Sequence, residues 1–223
     1  MTDRPILFSA PMVRALLDGR KTQTRRIIKP QPDLEVSCAA VFSDGMFAWM
    51  SGDPKDLESW MFHGDFKTPI QNGDRLWVRE SWKATGLTAF NKPSETRVCG
   101  RFAYMADAEQ LQRDVMIPWR PSIHMPRWAS RLTLIVTDVR VERLQDISEA
   151  DAIAEGCFKD KASGRVFANE AAMHLGGDEW NNARDWYADL WETINGAGAW
   201  DANPWVAAYT FTVHHRNIDE VRG

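Results

Sequence analysis

The chain has no apolar run of the roughly 18 residues that a membrane-spanning helix requires. Its longest apolar stretches, around Leu132–Val136 and Trp205–Val213, are strand-sized and interrupted by Thr. Neither a membrane span nor a membrane partner is expected. Cysteine is scarce: Cys38, Cys99 and Cys157 are odd in number and widely spaced, which fits no disulfide framework and no zinc-ligand spacing. The five histidines, His63, His124, His174, His214 and His215, include no i, i+4 pair of the kind that builds a helical metal site. No metal or cofactor is expected. The N-terminus, "MTDRPILFSAPMVRALLDGRK", has an early acid, a proline inside its short apolar stretch and no small-residue cleavage site. It does not read as a secretory signal, so a cytoplasmic protein is expected. Charge of one sign is also lacking, for the net value is −4, which argues against a molecule-wide nucleic-acid clamp.

What is present is an ordinary globular balance, 44% apolar and 26% charged, over 223 residues. That predicts one domain with a single core, carrying insertions at about 30–72 and 83–126, where Pro, Gly, Asp and Ser punctuate the text without periodicity. A short hairpin is predicted inside the first insertion at "FSDGMFAWM". The near-neutral average hides a local asymmetry. Between Arg14 and Lys29 six basic residues face a single acid, Asp18. They form either a solvated surface or an anion site.

Local patterns supply the elements. A strand at Ile6–Phe8 leads to Ser9 as an N-cap, Pro11 in the first turn, and Met12, Val13, Leu16 and Leu17 at helical spacing, with Gly19 as the left-handed stop. The polar phrase "GRKTQTRR" then reads as a loop, with a strand resuming at Ile27–Ile28. "DRLWVRES" alternates like a half-buried strand, and "SRLTLIVTDVRVERL" is a longer one with a phase change at Asp138. "ISEADAIAEG" predicts a short helix with Ser148 and Asp151 in a capping-box arrangement and Gly156 as its end. Trp180, Ala183, Tyr187, Leu190, Trp191 and Ile194 form one helical stripe ended by Gly196. The last strand, Trp205–Val213, sets Trp205, Ala207, Tyr209, Phe211 and Val213 on one side. Strands outnumber helices without a βαβ rhythm, so the predicted class is mixed α+β, mainly β. Pairing of the first and last strands would close a small barrel.

The phrase "GRKTQTRR" fits Gly-x-Lys-x-x-Thr-x-Arg as Gly19, Lys21, Thr24 and Arg26. In this it resembles the ASCH domain, a PUA-like β-barrel related to RNA-binding domains. "GDRLWVRESW", "MPRWASRLTLIVTDVRVERLQDISEADAIAEG" and "NPWVAAYTF" are similar to the version carried by phages and prophages, and together these cover most of the chain outside the insertions. A compact bacterial member of that family is an amidohydrolase that removes the acetyl group of N(4)-acetylcytidine with a Lys, a Thr and a Glu. The resemblance implies Lys21 and Thr24 for the first two and, through the short helix, Glu155 for the third. It implies a modified nucleoside or RNA as partner.

The chemistry of such a trio is coherent. A threonine hydroxyl needs a base to accept its proton, and a lysine serves if neighbouring cations or desolvation favour its neutral form. Arg20, Arg25 and Arg26 flank Lys21 in sequence. Glu155 falls in the last turn of its predicted helix, where the dipole disfavours a carboxylate and suits a carboxyl that passes protons to a leaving amine. Arg26, with Arg25 beside it, would hold a carbonyl or phosphate oxygen through its fork of donors. Trp77 and Trp82, flanking the predicted strand, are either core or a stacking platform for a base, and Glu80 is either an ion-pair partner or part of a pocket rim. Without catalysis, the same basic loop would make an RNA- or DNA-binding module. A ribonuclease is the third reading.

Overall fold

The computed structural model describes residues 1–32, 36–42, 45–53, 55–84, 102–110 and 118–221. In chain order they form β1 (Asp3–Leu7), α1 (Ala10–Leu17), β2 (Gln23–Ile27), β3 (Cys38–Val41), β4 (Phe47–Ser51), β5 (Met61–Phe66), β6 (Arg75–Arg79), β7 (Trp82–Ala84) and β8 (Phe102–Tyr104). There follow β9 (Thr133–Arg143), α2 (Glu149–Ala154), β10 (Phe158–Lys159), β11 (Val166–Phe167), α3 (Glu170–His174), β12 (Glu179–Trp180), α4 (Ala183–Asn195) and β13 (Trp205–His214). The class is mixed α+β, mainly sheet. Among the described residues no helix is long and apolar enough to cross a membrane.

The chain divides into two compact units, the first made of Met1–Thr22, Gly73–Val136 and Phe211–Gly223, the second of Gln23–Asn72 and Thr137–Thr210. In the first, β1 runs parallel to β6, and β6 runs antiparallel to the start of β9, with Leu76 opposite Leu134. The predicted alternation holds here: Leu76 and Val78 are buried, and Trp77 between them is half-buried. Helix α1 buries Met12, Val13, Ala15 and Leu16, and Gly19 at φ +70° turns the chain out of it. Ser9 stands at the N-cap position without a side-chain capping bond. At the second predicted insertion β7 and β8 pair antiparallel, and Trp82 packs on Met125 and Ala129, with Phe102, Tyr104 and Trp128 around it.

In the second unit β2 pairs antiparallel with β13, setting Thr24 opposite Tyr209, Arg25 opposite Ala208 and Arg26 opposite Ala207. This corrects the reading of "GRKTQTRR" as a loop. Half of the phrase is strand, because β13 provides a hydrogen-bonding edge that polar residues accept as readily as apolar ones. Both sides of β13 are covered. Val206 joins Leu144, Ile147, Ala152, Trp186, Tyr187 and Trp191, whereas Trp205, Ala207 and Tyr209 meet Ile28 and Val36, with Trp49 and Phe66 of the inserted sheet. That sheet has three strands in the order β3-β4-β5, one more than the predicted hairpin. Ser148 caps α2 by accepting from the Asp151 N–H at 3.1 Å. On α4 the buried stripe is Ala183, Trp186, Tyr187 and Trp191. Trp180 belongs to β12, and Ile194 is exposed near the helix end.

The strand order β1-β6-β9-β13-β2 makes β6 the neighbour of the first strand and β9 and β2 the neighbours of the last. The expected pairing of first with last is therefore absent among the described residues. β2, emerging directly from α1, occupies the edge of β13 that such closure would have used.

Candidate functional site

Three polar residues singled out by the sequence are buried: Lys21 (1% exposed), Thr24 (3%) and Glu155 (3%). Residues of these types stay at the surface unless paired or used. Lys21 belongs to the first unit, where Arg20 and Lys21 both donate their backbone N–H groups to Ala15 O, at 2.9 and 3.0 Å, as the chain leaves α1. Its Nζ lies 5.6 Å from the centroid of the Phe8 ring. Thr24 and Glu155 belong to the second unit, and their surroundings are built around Arg25.

Arg25 projects from β2 into the interior with no exposed side-chain surface. Its Nε donates to Glu142 Oε1 at 2.9 Å, and its NH1 donates to Gln23 Oε1 and Glu155 Oε1, both at 3.1 Å. NH2 stands 2.8 Å from Glu142 Oε1, an ion-pair approach off the hydrogen-bonding line, and 3.6 Å from Asp151 Oδ2. Burial pulls the guanidinium pKa down, but Glu155, Glu142 and Tyr187 more than compensate, and it rises above the ordinary arginine value. A polar circuit continues outward. Gln23 Nε2 donates to Asp151 Oδ1 at 2.8 Å, Arg140 donates to the same oxygen at 3.0 Å, and Arg140 NH1 approaches Glu142 Oε2 at 3.6 Å. Burial raises Asp151, and the bonds from Gln23, Arg140 and Ser148 outweigh it, so its pKa lies below the usual carboxylate value. The predicted capping box is half used: Ser148 caps, while the Asp151 carboxylate turns to this circuit.

Glu155 is the C-cap residue of α2, with Gly156 at φ +115° turning the chain away after it. Its buried carboxylate accepts from Arg25. Burial drives the Tyr187 hydroxyl well above the ordinary tyrosine pKa, and the neighbouring Glu155 charge pushes it further. The Arg25 guanidinium, donating to the carboxylate, meets the unfavourable helix dipole there. Arg26 differs from Arg25. It is exposed by surface area, yet desolvation lowers its pKa, while Glu155, Tyr187 and Tyr209 act in the opposite sense.

The positive crowd expected around Lys21 is largely compensated. Arg20 pairs with Asp18, its NH2 lying 2.8 Å from Oδ2, and Arg25 is held by the carboxylates just described. The remaining predicted binding residues have packing or pairing roles in the first unit. Glu80 is gripped by Arg131 through two bonds of 2.8 and 3.0 Å, and burial raises its pKa despite them. Trp82 is fully buried and offers no face on which a base could stack, since Met125, Ala129 and neighbouring rings occupy that space. Trp77 is half-buried, with the Arg79 guanidinium 5.2 Å from its ring centroid. Tyr187 and Glu142 were missed by sequence reasoning: one looked like an ordinary core aromatic on a helical stripe, the other like one charge among several on β9. The described residues include no grouping of three His, Cys, Asp or Glu side chains able to hold a metal ion.

No family model matches the chain, and neither the curated proteins nor the solved structures contain a match.

Proposed function

We propose that this chain is a PUA-like barrel protein of the ASCH type that hydrolyses the N-acyl amide of an acylated cytidine or a similar modified nucleoside. One observation carries the reading. Glu155, distant in sequence from the Lys-x-x-Thr motif, is buried with its carboxylate on the guanidinium of Arg25, the residue next to Thr24. In this reading the neutral Lys21 amine takes the Thr24 hydroxyl proton as Oγ attacks the acyl carbon. Arg26 stabilises the oxyanion that develops on the carbonyl oxygen. The proton taken up by Lys21 is passed by way of Glu155 to the leaving nitrogen, the C–N bond breaks, and water, giving a proton to Lys21, then attacks the Thr24 ester to free the acid and restore the hydroxyl. Each group has a role suited to its chemistry.

The test is incubation of the purified protein with N(4)-acetylcytidine, with products detected by mass spectrometry. Cytidine and acetate are expected. Lys21→Ala is expected to lower turnover by about 100-fold or more, the scale of a removed general base, with the melting transition retained. No release from any acylated nucleoside, together with RNA binding that weakens steeply with salt, would replace this reading with a non-catalytic binding module.

A further inference from the structure

The inserted sheet β3-β4-β5 does more than cover β13. Between the ends of its strands and β9 lies a cavity of about 530 Å³, within the roughly 300–1,000 Å³ of small-ligand sites, and its lining residues all belong to the second unit. We infer that this cavity binds a cytosine or adenine nucleotide, at a site that uses none of the residues assigned to the proposed reaction. Its floor is apolar and firm. Phe47 is buried with its ring stacked on Phe66, centroids 5.6 Å apart, and Val139 packs on the cluster of Trp205, Ala207 and Tyr209. Gln71 braces one wall: its Nε2 donates to Thr68 O at 2.7 Å and to Thr68 Oγ1 at 3.0 Å, and Thr68 is itself buried. A hollow held in this way needs little rearrangement to accept a ligand.

Recognition comes from the rim. Phe42 and Val41 leave 49% and 66% of their surfaces exposed there, so an apolar plane stands free for a base to stack on. Among the described residues neither the Lys67 ammonium nor the Asn72 amide has a partner. Asp138 has only Arg140 near it, at 3.6 Å and beyond hydrogen-bonding distance. These groups answer different parts of one molecule. The ammonium suits a phosphate, and the carboxylate accepts from the amine that cytosine and adenine present and repels the carbonyl that uracil presents in its place. The Asn72 amide donates to the ring nitrogen beside that amine.

Calorimetric titration of the full chain with the 5′-monophosphates of cytidine, adenosine and uridine tests the site. The cytidine and adenosine nucleotides are expected to bind about tenfold or more tightly than the uridine nucleotide, the scale of one base-edge contact. Phe42→Ala is expected to weaken cytidine monophosphate about tenfold. Lys67→Met should weaken it also, while leaving unphosphorylated cytidine unchanged. Asp138→Asn, whose amide donates to a carbonyl as well as accepting, is expected to erase the preference over the uridine nucleotide. All three side chains are exposed, so the melting transition should match the parent. Lys21→Ala is expected to leave the affinity within about twofold, since the two sites share no residue. No binding of either amine-bearing nucleotide, or equal binding of the uridine nucleotide, would overturn the inference. So would binding lost in Lys21→Ala and kept in Phe42→Ala, which would put the nucleotide at the proposed catalytic residues. A protein that binds as expected but leaves N(4)-acetylcytidine intact would sink the proposed function alone. Tighter binding of a tricytidylate, weakened by the same substitutions, would identify an RNA strand as the occupant, and equal affinity a free nucleotide; both support the site.

Discussion

Each unit sets an arginine among carboxylates, one partly exposed and one fully buried, and the two arrangements differ in how the guanidinium is shared. Arg131, in the first unit, spends both arms of its fork on acids. It grips Glu80 at 2.8 and 3.0 Å and Asp107 at 2.7 and 3.1 Å, and its guanidinium lies 4.1 Å from the Tyr104 ring centroid. The Tyr104 hydroxyl donates to a backbone carbonyl, Ala129 O, and burial takes its pKa up to about 12. Every strong donor there is answered within the cluster, and the chain uses it to tie β8 and the following turn to β6. Arg25, in the second unit, also answers Glu142, but it shares its remaining donors between Gln23 and Glu155. The Glu155 charge in turn adds to the burial that holds the Tyr187 hydroxyl well above the ordinary tyrosine pKa. A closed pair stabilises a fold. A shared arginine instead draws acids from β9 and from the end of α2 to one point on β2.

Breaking the hubs is the largest test of that contrast. Arg25→Met strands the carboxylates of Glu142 and Glu155 in the interior and is expected to cost about 3–5 kcal/mol in urea unfolding. Arg131→Met is expected to cost less, about 2–3 kcal/mol, because its side chain is 26% exposed and water screens part of what is lost. The reverse order would overturn the comparison. Acid is expected to act next. Asp151, with a folded pKa held below its unfolded value, contributes stability that is present above the unfolded aspartate value, about pH 4, and is lost as pH falls through the folded value. Unfolding midpoints measured between pH 6 and pH 2 should therefore decline, and Asp151→Asn should flatten that decline. The smallest effect is expected from Trp77→Phe, about 1 kcal/mol or less in the same assay, since that side chain is only partly buried.

Much of this organisation was legible in the linear text wherever one short segment carries its own instructions. Ser148 caps α2, Gly19 and Gly196 adopt the positive φ that ends their helices, and Leu76 and Val78 alternate into the core, because backbone sterics and side-chain period act over a few residues. The stretch Gln23–Ile27 failed that reading. Its polar residues suggest solvent, and only partners more than 110 positions away, Glu142 and Glu155 at separations of 117 and 130, make its burial tolerable. The doubly covered β13 was hidden likewise, since its second cover comes from an inserted sheet whose own text lacks periodicity.

What the order of residues settled by itself, then, is the set of local devices and the chemical types available: a Lys-x-x-Thr motif, a short capped helix ending in an acid, and a stripe of aromatics. The folded chain decided which of these meet. A carboxylate's neighbours in space set its solvation and its donors, and those neighbours are contributed by β2, β9 and α4, which no short-range rule links. So Arg25, a cation in the interior, becomes tolerable only where a helix end from elsewhere in the chain presents Glu155 to it.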